Sequence, residues 1–396
     1  MRAYVIGTGD TKRAELLYVR DLIRTADVDT CYVDVGIKSD GAGADVTPKD
    51  VATHHPKGQA AVFVDDRGQA VGAMSEALEA FIRGRDDVGG VIGLGGTGGT
   101  TMITRAMRAL PISTPKLMVS TVASGNTTPY VRPSDITMMY SVTDIAGLNR
   151  ISRMVLGNAA HALAGMVARK PPEVTSDKPG IGLTMFGVTT PCVNRMVEAL
   201  SKDYDCLVFH ATGTGGQSME KLVESKLLIG AIDSTTTEVA DLLMCGVFPA
   251  TEDRFGAFIR SRAPYVGSCG ALDMVNFGPM VSVPAPYKNR NLYVHNATVT
   301  LMRTTPEENA RIGRWIGEKL NRMQGKVRFF LPEGGVSLID APGKPFHDPE
   351  ADAALFAALE ASVKRTGERQ LIRLPHNIND LAFADALVAA WHEIAR

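Results

Sequence analysis

The feature that most constrains this fold is a repeated order of elements: a short apolar strand, a loop rich in glycine and threonine, a helix and a second strand. The order occurs at the start of the chain and again after residue 179. The first copy has strands at 3–6 and 31–35, and the second has strands at 181–185 and 206–209. Two parallel strands need a connection long enough to return the chain, and a helix supplies it. The repeat therefore predicts α/β structure, with two Rossmann-like domains on mainly parallel sheets.

The chain is long enough for both domains. It has 396 residues, of which 45% are hydrophobic and 21% charged, so each half can bury a full core. The polar stretch at 171–178, which begins with two prolines, predicts a linker between an N-terminal domain at 1–170 and a C-terminal domain at 179–396. We expect a polar cleft between them, because nearly every predicted strand ends in a small polar or charged residue.

Charge and cysteine usage exclude several function classes. Lys and Arg number 42 against 43 Asp and Glu, which gives no electrostatic footprint for nucleic acid or an anionic membrane. The five cysteines form no CxxC pair, so neither a disulfide framework nor a structural zinc site is indicated. No apolar run reaches the roughly 18 residues of a membrane span, and Gly7 and Asp10 come too early for a signal peptide. We expect a soluble, cytoplasmic protein.

The strongest local signal lies at 93–100, between a predicted strand and a predicted helix. Glycines there allow a tight turn and let backbone N–H groups approach an anion at the positive end of the helix. The segment satisfies GxGxxG, but the next acidic residue after Thr100 is Asp135, too far along to bind the ribose of a nicotinamide cofactor. The pattern favours a nucleotide-phosphate loop, and the alternative is a glycine turn needed only for packing. The candidate residues are Gly93, Gly95, Gly96, Thr97, Gly98, Gly99 and Thr100.

The first loop of the chain is a second candidate for phosphate binding. Hydroxyl, amide and ammonium groups follow the first strand there, and no GxxxxGK[ST] motif is present. Its residues are Gly7, Thr8, Gly9, Asp10, Thr11 and Lys12. Asp10 could hold Mg²⁺, or it could simply cap the helix. Asp34 ends the second strand, where it is either a ribose acceptor or a solvated loop acid.

The loop after the predicted strand at 116–120 should lie on the same sheet edge. Ser120, Gly125 and Asn126 fit a phosphate or sugar site, and they fit a tight turn equally well.

The second domain repeats the arrangement of small residues after strands. A second anion site is predicted there, from Thr212, Gly213, Thr214, Gly215, Gly216, Thr236, Thr237 and Glu238. The alternative for Glu238 is a capping box with Thr235.

Three side chains of the second domain could do catalysis. His210 ends a strand and could transfer protons, Cys269 could be a nucleophile near it, and Glu333 could be a general base or a metal ligand. The alternatives are a structural histidine, a buried inert cysteine and an ordinary loop acid.

Several long segments together resemble the Tm-one-like ATP-binding family, which is named for a tomato mosaic virus resistance protein. They include VIGTGDTK, VIGLGGTGGT, KLMVSTVASGNTTPY, DCLVFHATGTGGQSMEKLVES, YVGSCGALDMVNFG and FLPEGGVSLIDAPGKPFHDPEAD. The resemblance covers essentially the whole chain. It implies two Rossmann-like domains, ATP with Mg²⁺ as ligand, and a homodimer. It also implies nucleotide binding at 7–12 and 93–100, the segments that match the family's glycine motifs.

Three functions remain open. The chain could be a Mg²⁺-dependent ATP-binding protein, with a small anionic metabolite in its cleft. It could be a lyase, hydrolase or transferase acting on a phosphorylated or keto-acid metabolite. It could also be a non-catalytic partner-binding protein. The predicted helix at 148–167 is apolar on more than one face, which favours a dimer over a foreign partner.

Overall fold

The computed structural model describes residues 1–169 and 178–395. The chain divides into two units, Met1–Val174 and Thr175–Arg396, and each is α/β with a parallel sheet at its centre. The predicted fold class is confirmed in this respect. The predicted linker at 171–178 lies outside the described residues, except for Lys178.

The first unit is built on a five-stranded parallel sheet of order β2-β1-β3-β4-β5. Its strands are β1 (Arg2–Gly7), β2 (Thr30–Asp34), β3 (Val88–Gly95), β4 (Lys116–Ser120) and β5 (Thr137–Tyr140). Its helices are α1 (Gly9–Arg24), α2 (Pro48–Ala52), α3 (Arg67–Arg83), α4 (Thr97–Ala109), α5 (Thr128–Val131) and α6 (Arg150–Ala168). Helices α1 and α6 cover one face of the sheet, and α3 and α4 cover the other.

The first four strands of this sheet are apolar because both of its faces are covered. Side chains of β1 alternate between the two hydrophobic clusters, with Tyr4 and Ile6 in one and Ala3 and Val5 in the other. This continuous burial is typical of a parallel sheet between two helical layers.

The second unit is built on a six-stranded parallel sheet of order β14-β13-β9-β8-β6-β7. Its strands are β6 (Gly180–Met185), β7 (Asp205–His210), β8 (Ala231–Thr235), β9 (Tyr265–Gly270), β13 (Val327–Pro332) and β14 (Arg369–Leu374). A separate antiparallel sheet contains β10 (Met274–Phe277), β11 (Leu292–Asn296) and β12 (Val299–Arg303). Its helices are α7 (Thr190–Leu200), α8 (Thr214–Glu224), α9 (Glu238–Met244), α10 (Gly256–Ser261), α11 (Pro306–Arg322), α12 (Pro349–Ser362) and α13 (Leu381–Ile394).

Both parallel sheets share one topology. Strand order reverses between β1 and β3 in the first unit and between β6 and β8 in the second. Open parallel sheets bind ligands beyond the carboxyl ends of the strands at such a reversal. The candidate loops after β1 and β3 flank the reversal of the first unit.

None of the described helices has the length and apolar character needed to cross a bilayer.

Candidate functional site

The loops after β1 and β3 lie side by side. Ile6 of β1 pairs with Gly93 of β3, so Thr8 and Gly95 come two residues further along adjacent strands that are about 4.8 Å apart. The two glycine-rich loops of the first unit therefore open at one place on the sheet edge.

The amino terminus of α1 is closed by a carboxylate from within the protein. The Gly9 amide donates to Oδ1 of Asp34 at 2.7 Å, and a β-carbon at Gly9 would collide with that carboxylate. Asp34 is fully buried and also accepts from the Gly36 amide and the Ser39 hydroxyl. Its oxygens thus join the β1 and β2 loops, and in this arrangement Asp34 is neither a solvated acid nor open to a ribose.

Lys12 does not point into open solvent. Its ammonium donates to the Ile145 carbonyl at 2.7 Å, and Glu15 accepts from the Gly147 amide three residues further along α1. Both contacts tie α1 to the loop between β5 and α6, so the ammonium of Lys12 has a structural partner.

The amino terminus of α4 is open. Its N-cap is Gly96, and no side chain of the described chain caps the helix. Thr97 and Gly98 are exposed, and a β-carbon added at Gly98 would meet no heavy atom within 4 Å. At Gly95, by contrast, a β-carbon would stand 2.8 Å from the backbone of Gly99 and Thr100. Close packing therefore requires a glycine at position 95, whereas the packing around position 98 would accept a side chain.

The loop after β4 is bonded to the start of α4. The Thr121 amide donates to the Gly95 carbonyl at 3.3 Å, and the hydroxyls of Thr100 and Ser120 are 2.6 Å apart. Thr100 and Ser120 are both fully buried, so they join the two loops and do not face a ligand. Gly125 and Asn126 lie further along the same loop and are exposed.

A cavity of about 230 Å³ opens beside the β1 loop. It is lined by Thr8, Asp10, Thr11, Val35, Ile37, Lys38, Arg67, Val71 and Met102. Lys38 and Arg67 bring positive charge to it, and the Lys38 amide donates to Asp10 at 3.2 Å. Sequence reasoning missed both cations, because they come from the β2 loop and from the first residue of α3, within a stretch that has no recognisable motif.

Asp10 is an exposed carboxylate on the wall of this cavity, beside the hydroxyls of Thr8 and Thr11. Within the described residues, no three His, Cys, Asp or Glu side chains form a metal cluster. Mg²⁺ in nucleotide sites is commonly held by one or two carboxylates together with phosphate oxygens and water. The residues around Asp10 therefore fit a Mg²⁺ ion that is held by one carboxylate together with phosphate oxygens and water. They do not fit a metal site in which the protein supplies all the ligands.

The second unit fills its corresponding helix terminus with its own carboxylate. The Gly213 amide, at the N-cap of α8, donates to Oε2 of Glu238 at 2.7 Å. A β-carbon at Gly216 would collide with the same carboxylate, and one at Gly215 would collide with the His210 backbone. The anion at the start of α8 is thus Glu238, which forms no capping box with Thr235.

Glu238 belongs to a buried ionic cluster around Arg254. The guanidinium of Arg254 pairs with Glu238, with Glu220 at 2.9 Å and with Asp233 at 2.7 Å. Burial raises the pKa of Glu220 to about 7 and also raises the pKa of Glu238. These groups, together with the fully buried Thr236 and Thr237, form the polar interior of the second unit.

The three predicted catalytic side chains do not come together. Cys269 lies in β9, fully buried, and burial raises the pKa of its thiol well above the usual value. Two strands separate it from His210 on β7, which is about 14 Å at normal strand spacing. The His210 ring contacts Phe186 in a tilted arrangement, with ring centroids 5.2 Å apart, and Glu333 pairs with Arg373 at 3.2 Å. A nucleophile and base must be within hydrogen-bond reach, so Cys269 and His210 are not such a pair.

A second buried cluster, around Arg303, was not anticipated from the sequence. Arg303 pairs with Asp352 at 2.8 Å and with Asp340 at 3.6 Å. Burial and the neighbouring Asp340 carboxylate raise the pKa of Asp352 to about 8 and that of Asp273 to about 7. One guanidinium cannot neutralise three carboxylates, so this cluster retains a proton near neutral pH.

The chain matches two family profiles that together span nearly its whole length. Residues 1–172 match the N-terminal domain of an uncharacterised protein family, UPF0261, and residues 178–395 match its C-terminal domain. A UPF0261 protein of Rhizobium meliloti (strain 1021) is 58% identical over 395 residues, which cover 100% of this chain and 99% of that protein.

A plant relative is also similar. The tomato (Solanum lycopersicum) ToMV resistance protein Tm-1(GCR237) is 44% identical over 420 residues, covering 100% of this chain and 56% of the tomato protein. The ToMV susceptible protein tm-1(GCR26) of tomato is 44% identical as well. The resemblance to the Tm-one-like family is confirmed.

We predict opposite stability effects of alanine at two neighbouring glycines. Gly95→Ala forces β3 and α4 apart and should lower the free energy of unfolding by about 1–3 kcal/mol. Gly98→Ala enters open space in a helical turn and should raise it by about 0.5–1 kcal/mol. Thermal unfolding followed by circular dichroism measures both variants, and equal destabilisation would show that Gly98 is also required by packing.

The Arg303 cluster predicts a pH dependence of stability. Asp352 and Asp273 have pKa values near 4 in the unfolded chain, so between about pH 4 and pH 8 the folded state retains protons that the unfolded state has released. The contribution of these two raised pKa values to the free energy of unfolding is therefore largest below pH 4. It decreases as the pH rises and is lost as the pH passes through the folded pKa values. Asp352→Asn should therefore lose less stability than wild type between pH 5 and pH 8, by about 1 kcal/mol or more.

Urea unfolding followed by tryptophan fluorescence tests this prediction, because both tryptophans, Trp315 and Trp391, lie in the second unit. Asp205→Asn, at an exposed position of the same unit, is the control and should leave the pH profile unchanged. An identical fall in stability from pH 5 to pH 8 in wild type and Asp352→Asn would contradict the assignment.

Proposed function

We propose that this chain, which belongs to the uncharacterised protein family UPF0261, is a nucleotide-binding protein that takes ATP with Mg²⁺ at the carboxyl edge of its first sheet. The observation that carries the proposal is the open amino terminus of α4 at the strand-order reversal. The phosphates of ATP would occupy the amino terminus of α4, and the β1 loop would contribute hydroxyls from Thr8 and Thr11.

The amino terminus of a helix carries partial positive charge and unpaired N–H groups, so it favours an anion. Five other helices, α2, α3, α6, α11 and α12, each have an N-cap side chain that accepts a backbone N–H. The amides of Thr97, Gly98 and Gly99 begin a 13-residue helix whose N-cap is a glycine. They would bind phosphate oxygens that replace the missing cap.

Gly98 is the most direct support for this role. A glycine inside a helix costs about 1 kcal/mol relative to alanine, and nothing in the surrounding structure requires one at position 98. A site for a phosphate does require it, because a side chain would stand where the ligand has to approach the backbone.

The charged walls of the 230 Å³ cavity support binding of anionic oxygen at the β1 loop, which is the neighbour of the loop at this terminus. Typical ligand pockets have volumes of about 300–1,000 Å³, so this cavity suits a phosphate-sized group rather than a whole nucleotide. The terminal phosphate would contact Lys38 and Arg67 there. The nucleoside would extend over the exposed loop that contains Gly125 and Asn126.

The chain's own residues bind and orient the ligand in this proposal. Thr8 and Thr11 donate hydroxyl hydrogens, and the α4 amides hold oxygens in fixed directions. Asp34 and Lys12 hold the β1 loop in place from inside the unit. When bound, Mg²⁺ would neutralise phosphate charge, and Asp10 is the carboxylate that would hold it. We propose no hydrolytic step.

We also propose that the protein is a homodimer that pairs through α6. One face of this helix packs on α1 and on the sheet, while Met154 and Met166 on other positions are 62% and 40% exposed. Light scattering of the full chain should give twice the mass of 42.3 kDa, and Met154→Glu should reduce it to the monomer mass. A monomer in the wild type would overturn this proposal.

Gly98→Asp is the sharpest test of the nucleotide site. The carboxylate stabilises the first turn of α4 through the helix dipole, but it occupies the phosphate position and repels the ligand. Isothermal titration with ATP and Mg²⁺ should show binding to wild type and at least a tenfold weaker affinity in Gly98→Asp, with thermal stability retained.

The matched control is Gly367→Asp, which adds the same charge at another glycine with no heavy atom within 4 Å of the new β-carbon. It should bind ATP like wild type. Equal affinity in Gly98→Asp and wild type would refute the assignment, and so would the absence of any nucleotide binding to wild type.

A further inference from the structure

A second cavity, of about 440 Å³, lies on the surface formed by α3, α4 and the turn after α5. Four arginines and one glutamate line it, together with Ala109: Arg83, Arg105, Arg108, Arg132 and Glu79. The whole chain has a net charge of −1, so four guanidinium groups against one carboxylate is a strong local excess of positive charge. We name this set the arginine pocket.

Glu79 holds two of these arginines in place. It accepts from Arg83 at 2.8 Å and from Arg105 at 2.7 Å. Burial opposes ionisation of Glu79, but these two hydrogen bonds outweigh it and lower its pKa. One carboxylate is therefore shared between two guanidinium groups, and Arg105 also approaches Glu76 at 3.7 Å.

Arg108 fixes the far wall of the pocket. It donates to the Tyr130 carbonyl at 2.6 Å and thereby holds the turn that presents Arg132. Burial, and then the like charges of Arg132 and Arg105, lower the pKa of Arg108 to about 10. The walls of the pocket thus bring several guanidinium groups close together.

The backbone of Arg132 is strained. Its φ of 46° and ψ of −149° lie near a region that is occupied essentially by glycine alone. An arginine at this position lowers local stability, and strain of this kind concentrates at binding sites. A cationic side chain at a strained position beside the pocket supports a binding role for this guanidinium.

We propose that the arginine pocket binds a phosphate-bearing small molecule, of the pyrophosphate or phosphate-monoester class. The planar guanidinium fork pairs with two phosphate oxygens at once, and the cavity volume falls in the range of ligand sites. Arg108 lies 11 residues after Thr97 along α4, about 16 Å at the helical rise. The phosphate at the α4 amino terminus and the ligand of the arginine pocket are therefore different molecules or distant groups.

The test uses pyrophosphate as the probe and the full chain with Gly98→Asp as background, so that binding at the α4 terminus does not contribute. Isothermal titration in low-salt buffer should show one pyrophosphate per chain, with an affinity that falls as salt is added. The absence of binding in this background would overturn the proposal, whatever the outcome of the ATP experiment.

Arg132→Gly separates ligand binding from folding. Glycine relieves the strain and should raise the thermal midpoint by a few degrees, while pyrophosphate affinity should fall about tenfold or more, since a charge-assisted contact is lost. The control Arg314→Gln removes an exposed arginine of the second unit and should keep wild-type affinity. Unchanged affinity in Arg132→Gly, or an equal loss in Arg314→Gln, would contradict the arginine pocket as a phosphate site.

Discussion

The structure depends on how each positive helix terminus at the carboxyl edge of a parallel sheet is neutralised. Among the helices at these edges, α1, α4 and α8 each begin with or directly follow a glycine of a Gly/Thr loop. Asp34 accepts from the first amide of α1, and Glu238 accepts from the N-cap amide of α8. Within the described chain, no side chain does this for α4. Similar Gly/Thr loops thus lead to filled termini at α1 and α8 and to an open terminus at α4, which is the candidate site.

Because Glu238 occupies the amino terminus of α8, that terminus has a structural role in the second unit. A carboxylate buried as deeply as Glu238 is tolerated only when it is paired, and the cluster supplies Arg254 together with the α8 backbone. Removing Glu238 would leave Arg254 with fewer partners in the interior. Asp34 is likewise a buried carboxylate whose oxygens are satisfied by the protein. It accepts from the amides of Gly9 and Gly36 and thereby fixes the β1 loop relative to the β2 loop.

The sequence was sufficient for the fold class and for most parallel strands, because alternating loops and apolar runs are local signals. The strand at Lys116–Ser120 was predicted with its observed bounds. The antiparallel strands β10–β12 and the helix α12 were missed. Strand β10 pairs with β12 rather than with the next strand along the chain, whereas α12 has a local start signal, the N-cap Asp348 followed by Pro349. The role of Glu238 could not be foreseen, because it lies 25 residues from Gly213. Lys38 and Arg67 reach their cavity only after folding, and the burial of Cys269 depends on neighbours from other strands.

Amide-resolved hydrogen exchange, with and without ATP and Mg²⁺, tests most directly whether the amino terminus of α4 is open to an anion while that of α8 is filled. We predict slower exchange at residues 97–100 when the nucleotide is present, and no change at residues 213–216, where Glu238 already occupies the terminus. Unaltered exchange at 97–100, or slowing at 213–216 in its place, would contradict it.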